Sequence, residues 1–294
     1  MNRVLDELVA LLRLERIEAD LFRGQSQDLG WGRIFGGQVL GQALSAAEQT
    51  VPDGRGVHSL HSYFLRSGEA DRPVVYEVDR IRDGRSFTTR RVVAVQDGRA
   101  IFNLSASFQV AENGFEHQDA MPEAPAPETL QSELDLAQQY AEQIPEPLRA
   151  AAFGERPIEI RTVEPPDHLI NPSTGAPRRM VWYRTSGTLP DASSLHQYLL
   201  AYASDFHFLE TTLRPHGVTW LTPGMQVASL DHSMWFHRAF RMDEWLLHVI
   251  DSPSATGARG LVRGQFFTAD GRLVASTAQE GLIRCWNGAS TPSA

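Results

Sequence analysis

The sequence predicts an α+β fold built from two copies of one small unit, each a long helix followed by an antiparallel, multi-stranded sheet. Three observations lead there. His61-Ser62-Tyr63-Phe64-Leu65-Arg66 is echoed by His232-Ser233-Met234-Trp235-Phe236-His237-Arg238, and an Asp-Gly-Arg turn follows each segment at a similar distance, Asp97-Gly98-Arg99 and Asp270-Gly271-Arg272. A period this long is not a solenoid repeat and reads as a duplicated domain. Second, Gly36 to Ala47 has helical character with small or apolar residues on nearly every face, which suits a helix buried inside a wrapping sheet. Third, Phe102, Leu104, Ala106, Phe108 and Val110 alternate with Asn103, Ser105, Ser107 and Gln109, the period of a half-buried antiparallel strand. Duplicated domains often set their site at the seam, with the polar residues kept in one copy.

Residues 3–14 read as an amphipathic helix through Val4, Leu5, Leu8, Leu11 and Leu12. After the buried helix come strand-like runs at Val74–Ile81 and Phe87–Val95, closed by the hairpin signal Asp97-Gly98. Met121-Pro122-Glu123-Ala124-Pro125-Ala126-Pro127 cannot join a sheet interior, and Leu134–Ile144 reads as a short acidic, Gln-rich helix. In the second half Ile158–Val163 and Arg179–Thr185 look like strands. Leu195–Leu213 reads as a helix with its core stripe at Leu195, Leu199, Tyr202, Phe206, Leu209 and Leu213. Gln226–Leu230, Trp235–Phe240, Trp245–Ile250, Leu261–Phe267 and Leu273–Arg284 complete a second meander. The expected division is a first domain at 1–112, a linker with a short helix at 113–157, a second domain at 158–286 and a tail at 287–294.

The length fits about two ordinary domains, and 42% apolar residues supply a real core. A net charge of −9 argues against a nucleic-acid partner, which needs a basic footprint. No apolar run is long enough to span a bilayer, the N-terminus lacks the pattern of a secretory signal and the C-terminus carries no recognisable address. The cytoplasm is the expected location. One cysteine, Cys285, excludes an intrachain disulfide framework and reads as a small buried or semi-buried apolar side chain. The chain has no lysine, which removes Schiff-base chemistry, a P-loop lysine and a Ser-Lys nucleophile.

Asp205 is the first candidate for chemistry. It falls inside the expected helix, where Asp has poor propensity, with Tyr198, Ala201, Tyr202 and Leu209 at helical offsets. A desolvated carboxylate there either bonds a nearby backbone group or serves as a base. Ser229 and Gln279, each on a strand-like run, are ordinary surface residues when taken singly. Together with a helical Asp they could hold one water. His58, His61, His232 and His237 match no strong metal-ligand spacing and read as packed, hydrogen-bonded histidines, with His58 left as a catalytic or substrate contact. Arg80, Arg82, Arg85, Arg90 and Arg91 read as surface charge or as contacts to a phosphorylated ligand.

Phe35-Gly36-Gly37-Gln38-Val39, His58-Ser59-Leu60-His61-Ser62-Tyr63-Phe64-Leu65-Arg66, Tyr202-Ala203-Ser204-Asp205, Leu230-Asp231-His232-Ser233-Met234-Trp235-Phe236-His237-Arg238 and Ser276-Thr277-Ala278-Gln279-Glu280-Gly281 resemble the bacterial acyl-CoA thioesterase II family, over nearly the whole chain. The resemblance implies a double hotdog, two hotdog domains in tandem, each a sheet around a long helix. It implies hydrolysis of acyl-CoA to a free fatty acid and CoA by a water held by Asp205, Ser229 and Gln279. No metal or other cofactor is implied, and the family suggests homo-oligomers, dimers or tetramers of double hotdogs. Ser229 stands where close relatives often carry Thr, so the hydroxyl is kept without its methyl. Two other readings stay open: an enoyl-thioester hydratase or dehydratase, for which His207 is the histidine near Asp205, and a non-catalytic acyl-CoA binding module.

Overall fold

The computed structural model describes residues 2–286 apart from 31, 145–148, 150, 151 and 165–172. Its first half contains α1 (Arg3–Leu12), β1 (Glu15–Glu18), β2 (Leu21–Gly24), α2 (Gly36–Glu48), β3 (Arg55–Phe64), β4 (Val74–Asp83), β5 (Phe87–Gln96) and β6 (Arg99–Val110). After a stretch carrying α3 (Glu133–Gln139) come β7 (Ile158–Thr162), β8 (Arg178–Thr185), α4 (Ser193–Ala203), β9 (Met225–Ser229), β10 (Asp231–Phe236), β11 (Leu246–Thr256), β12 (Arg259–Thr268) and β13 (Leu273–Cys285). The strands form one sheet in the order β1-β2-β4-β5-β6-β3-β10-β13-β12-β11-β8-β7, with β9 beside β13, and every pairing is antiparallel. Read inward from either end, the order has the same roles. This is the double hotdog, with β3 and β10 joining the halves.

Local chemistry explains the elements that position the site. Asn2 caps α1 by accepting a hydrogen bond from the Val4 backbone at 3.2 Å, and Leu5, Leu8 and Leu12 face the core. In α2 every residue from Gly37 to Ala47 is buried, so the helix has no solvent face. It packs on α4 at close range: a Cβ on Gly37 would lie 2.1 Å from the Tyr202 carbonyl oxygen. At the β5–β6 turn Asp97 and Gly98 take positive φ of 50° and 70°, the conformation that Asp-Gly supplies to tight hairpins. In β6 Phe102, Leu104, Ala106 and Phe108 point inward, as the alternation predicts.

The histidine echo is one residue out of step with the side-chain faces. β3 and β10 pair with His61 opposite Ser233 and Ser62 opposite His232. His61 is exposed, whereas His232 is fully buried. The two-fold relation that matches burial puts Leu60 with His232, Ser62 with Met234 and Val57 with Ser229. Strand side chains alternate, so an alignment shifted by one residue assigns every side chain to the wrong face.

Other expectations are corrected. The helix expected at Leu195–Leu213 ends at Ala203 and continues as turns and a short 3-10 segment at Leu209–Thr212. Phe206, Leu209 and Leu213 still pack inward, which is why the helical periodicity ran on. The helix expected at Leu134–Ile144 is α3, followed by a 3-10 turn at Ala141–Gln143. The strand expected at Trp235–Phe240 starts at Asp231 and ends at Phe236. Strands β1, β2 and β3 were not anticipated. Cys285 is exposed at the end of β13 rather than buried. Arg90 is no surface charge: it is fully buried and donates to the Thr50 hydroxyl at 2.8 Å, the Thr50 carbonyl at 2.9 Å and Asp83 at 2.7 Å. Arg80 and Arg91 are paired at the surface with Asp20 and Asp79.

The Pro-rich stretch runs over the outer face of the second half. Trp182 donates to the Pro125 carbonyl at 3.0 Å, and Met121, Ala124 and Leu130 pack on a cluster of Trp182, Trp245, Leu247, Phe267 and Leu273. The tail expected at 287–294 lies outside the described residues.

Candidate active site

Asp205 sits two residues beyond the end of α4, and the structure brings Ser229 and Gln279 to it from β9 and β13. Gln279 donates one N–H to Asp205 Oδ1 at 3.1 Å and the other to Ser229 Oγ at 2.7 Å. The Ser229 hydroxyl donates to the same Oδ1 at 3.4 Å. The three residues are separated by loops and strands in the chain, and strand register aligns them: Ser229 pairs with Gly281, two residues from Gln279.

The other carboxylate oxygen meets the start of α2. A Cβ on Gly36 would lie 2.5 Å from Asp205 Oδ2 and 3.0 Å from the Phe64 ring, so only glycine permits this approach. The Gly37 N–H also bonds to Asp205. No side chain caps α2, leaving its positive end turned to the site. Burial pushes the Asp205 carboxyl up to about 6, against the hydrogen bonds from Gln279, Ser229 and Gly37 that favour the anion. Beside the start of α2, Phe35 stacks on Phe206 at 4.4 Å between ring centres and meets Tyr202 edge-on.

Two histidines flank this set in opposite electrostatic states. His232 is fully buried, with Nδ1 2.6 Å from Gln279 Oε1 and Nε2 3.0 Å from Ser204 Oγ, and burial lowers it to about 4. His207 has a left-handed φ of 58°, and its ring is engaged by two glutamates. Its Nε2 lies 2.6 Å from Glu133 of α3 and its Nδ1 3.1 Å from Glu210. Burial alone would lower His207, but the two glutamates raise it to about 9. Arg179 reaches the same Glu210 at 2.6 Å. His207 is thus part of a half-buried ion cluster tying the turn after α4 to the linker helix, which removes it as a proton donor beside Asp205.

Two family profiles match the chain: that of acyl-CoA thioesterases over residues 150–282 and that of the acyl-CoA thioesterase N-terminal domain over residues 26–109. The chain is 47% identical to acyl-CoA thioesterase 2 of Haemophilus influenzae, covering 97% of this chain and 99% of the relative. It is 43% identical to human acyl-coenzyme A thioesterase 8, covering 94% and 88%. The crystal structure of an acyl-CoA thioesterase II from Mycobacterium marinum superposes with a TM-score of 0.76 at 43% identity, covering 96% of this chain and all of that one. The chain belongs to the acyl-CoA thioesterase II family. A hot dog protein from Alicyclobacillus acidocaldarius, at 18% identity and a TM-score of 0.75, shares the fold.

This thioesterase is therefore a hydrolase of acyl-CoA thioesters. Among the described residues no group of three or more His, Cys, Asp or Glu side chains is placed to hold a metal ion, and no helix is long and apolar enough to cross a membrane. His58 lies at the bulge of β3 in the other half, where its Nε2 is 2.8 Å from Ser107 Oγ and its ring meets Phe87. Neither contact involves Asp205. Gly36, Gly37 and His232 were not picked out as site residues. The glycine pair at the start of an otherwise well-formed helix was a usable signal for a close approach. His232 carried none, because its echo with His61 suggested a common role for two residues that face opposite ways.

Proposed function

We propose that this thioesterase hydrolyses fatty acyl-CoA to a free fatty acid and CoA by direct attack of a water held by Asp205, Ser229 and Gln279. One observation carries this reading: a carboxylate raised to about 6 is anchored through Oδ1 by Gln279 and Ser229, while its Oδ2 faces the start of α2. Above pH 6 Asp205 is ionised and takes a proton from the water as its oxygen bonds to the thioester carbon. The charge passed to the carbonyl oxygen is met by the positive end of α2. Collapse of the tetrahedral intermediate breaks the C–S bond, and the proton held by Asp205 goes to the departing CoA sulfur. The acyl tail would lie in an apolar tunnel between helix and sheet. We place the enzyme in the cytoplasm, as a homo-oligomer of double hotdogs, on the family resemblance.

The test is thiol release from short, medium and long acyl-CoAs by wild type and Asp205→Asn side by side. A roughly 100-fold or greater fall in kcat with the fold retained is the expected result. Near-wild-type turnover in the variant would sink the assignment. Loss of enoyl absorbance without thiol release would mark a hydratase instead.

A further inference from the structure

We propose that His232 is the positioning residue of this site: its Nδ1–H fixes the orientation of the Gln279 amide, and through it the water site at Asp205. The inference rests on the reading of Asp205, Ser229 and Gln279 given above.

The partners of Gln279 decide which end of its amide is which. Gln279 Nε2 lies 3.1 Å from a carboxylate oxygen and 2.7 Å from a hydroxyl. A carboxylate accepts only, so this end of the amide must be the NH2, and both its hydrogens are in use. The other end is then the carbonyl, an acceptor, and His232 Nδ1 at 2.6 Å must carry a proton. The ring is neutral, so Nε2 is an acceptor, and the single proton of the Ser204 hydroxyl is shared between Nε2 at 3.0 Å and the Ala201 carbonyl at 2.9 Å. The chain of bonds runs from the last turn of α4 through His232 and Gln279 back to Asp205, one residue after Ser204. Without His232 the amide can rotate by half a turn, presenting an acceptor to Asp205 where a donor is needed.

His232 is held firmly enough for the task. Its ring is enclosed, with Phe208 5.7 Å away between ring centres, and its backbone carbonyl accepts from Ser62 Oγ at 2.8 Å. The titratable groups near the network are His248, driven well below its ordinary value by burial, Tyr183, driven well above its own, the His207 cluster, and the neighbouring Asp231, raised by burial, whose carboxylate accepts from the Glu280 backbone. Of these, none bonds to the Gln279 amide, and Asp205 is the carboxyl that does.

The experiment compares full-length His232→Leu, His232→Gln, His232→Asn, Gln279→Ala and the double variant His232→Leu/Gln279→Ala. Steady-state thiol release is read from pH 5 to 9 on the acyl-CoA with the highest wild-type turnover. Asn keeps a donor near the Nδ1 position; Leu and Gln do not. The expected fall in kcat for Leu and Gln is roughly 10-fold or more with KM little changed, while Asn recovers most of it. The acid limb moves to higher pH in Leu and Gln and returns in Asn, because a lost donor disfavours the Asp205 anion. The double variant should match Gln279→Ala alone. His232→Gln carries the test if His232→Leu does not fold. Turnover of His232→Leu or His232→Gln near wild type, with Gln279→Ala impaired, overturns this proposal alone, as does an Asn variant no better than Leu. Wild-type turnover in Gln279→Ala overturns the reading of the site itself, and this proposal with it.

Discussion

Where β3 lies against β6, Val57 pairs with Phe108 and Leu60 with Ala106. At the matching places in the second half Ser229 pairs with Gly281, and His232 is hydrogen-bonded to Gln279. The strand order corresponds, but four inward positions are apolar in one half and polar or vacant of side chain in the other. Burial of an aliphatic side chain stabilises by about 1.5–3 kcal/mol, so the first half keeps a hydrophobic core. The second half replaces that contribution with a network in which each polar group finds a partner, which keeps its cost low. A duplicated fold thus separates duties: one copy supplies stability and the first turn of α2, the other the polar machinery facing it.

The sharpest way to break this comparison is to make the halves alike. Gln279→Ala copies the first half's residue into the second, and kcat should fall roughly 50-fold in a thiol-release assay. The reciprocal Ala106→Gln should leave the mechanism intact but bury an amide without partners, lowering stability by about 1–3 kcal/mol in denaturant titration. Gly36→Ala probes the seam. Its Cβ would press on Asp205 Oδ2 at 2.5 Å, and displacing the carboxylate should cost about 10-fold or more in kcat/KM.

Smaller effects come from pH. Activity should rise through about pH 6 and level off above it as Asp205 ionises. Because its folded value is raised, Asp205 favours the folded state when protonated, and that contribution is lost as pH rises through about 6. Asp205→Asn should therefore be more stable than wild type at pH 8, by roughly 1–3 kcal/mol, with the gap closing toward pH 4. Thermal melts at both values check this.

The weakest effect on turnover is expected at the His207 cluster. Glu133 is held down to about 2 despite burial, by His207 and Arg156, and His207 is held up at about 9. Their stabilisation is complete between their ordinary values of 4.5 and 6.5, fading as pH falls through about 2 or rises through about 9. Glu133→Gln should lower stability by roughly 1–3 kcal/mol at pH 6 while changing kcat by only about 2-fold, since Glu133 acts on the turn and not on substrate.

The duplication, the all-round apolar helix and the Asp-Gly hairpin turns were legible in the sequence because each is written in local periodicity and turn chemistry. Asp205, Ser229 and Gln279 could be nominated from their motifs. Their convergence could not be derived from spacing, since it depends on the pairing of β9 with β13 and on where α4 stops. The periodicity of Phe206, Leu209 and Leu213 records which residues face the core and is silent on whether the backbone between them remains helical.

By itself the sequence determined two like units, their buried helix and the residue types available for catalysis, all fixed by interactions within a turn or two of chain. The tertiary structure alone decided which face each histidine took, that His232 rather than His61 joins the polar set, and that Gly36 meets Asp205. These are contacts between residues tens to more than a hundred positions apart, set by strand register and by the crossing of α2 and α4. A one-residue slip in register would have inverted them.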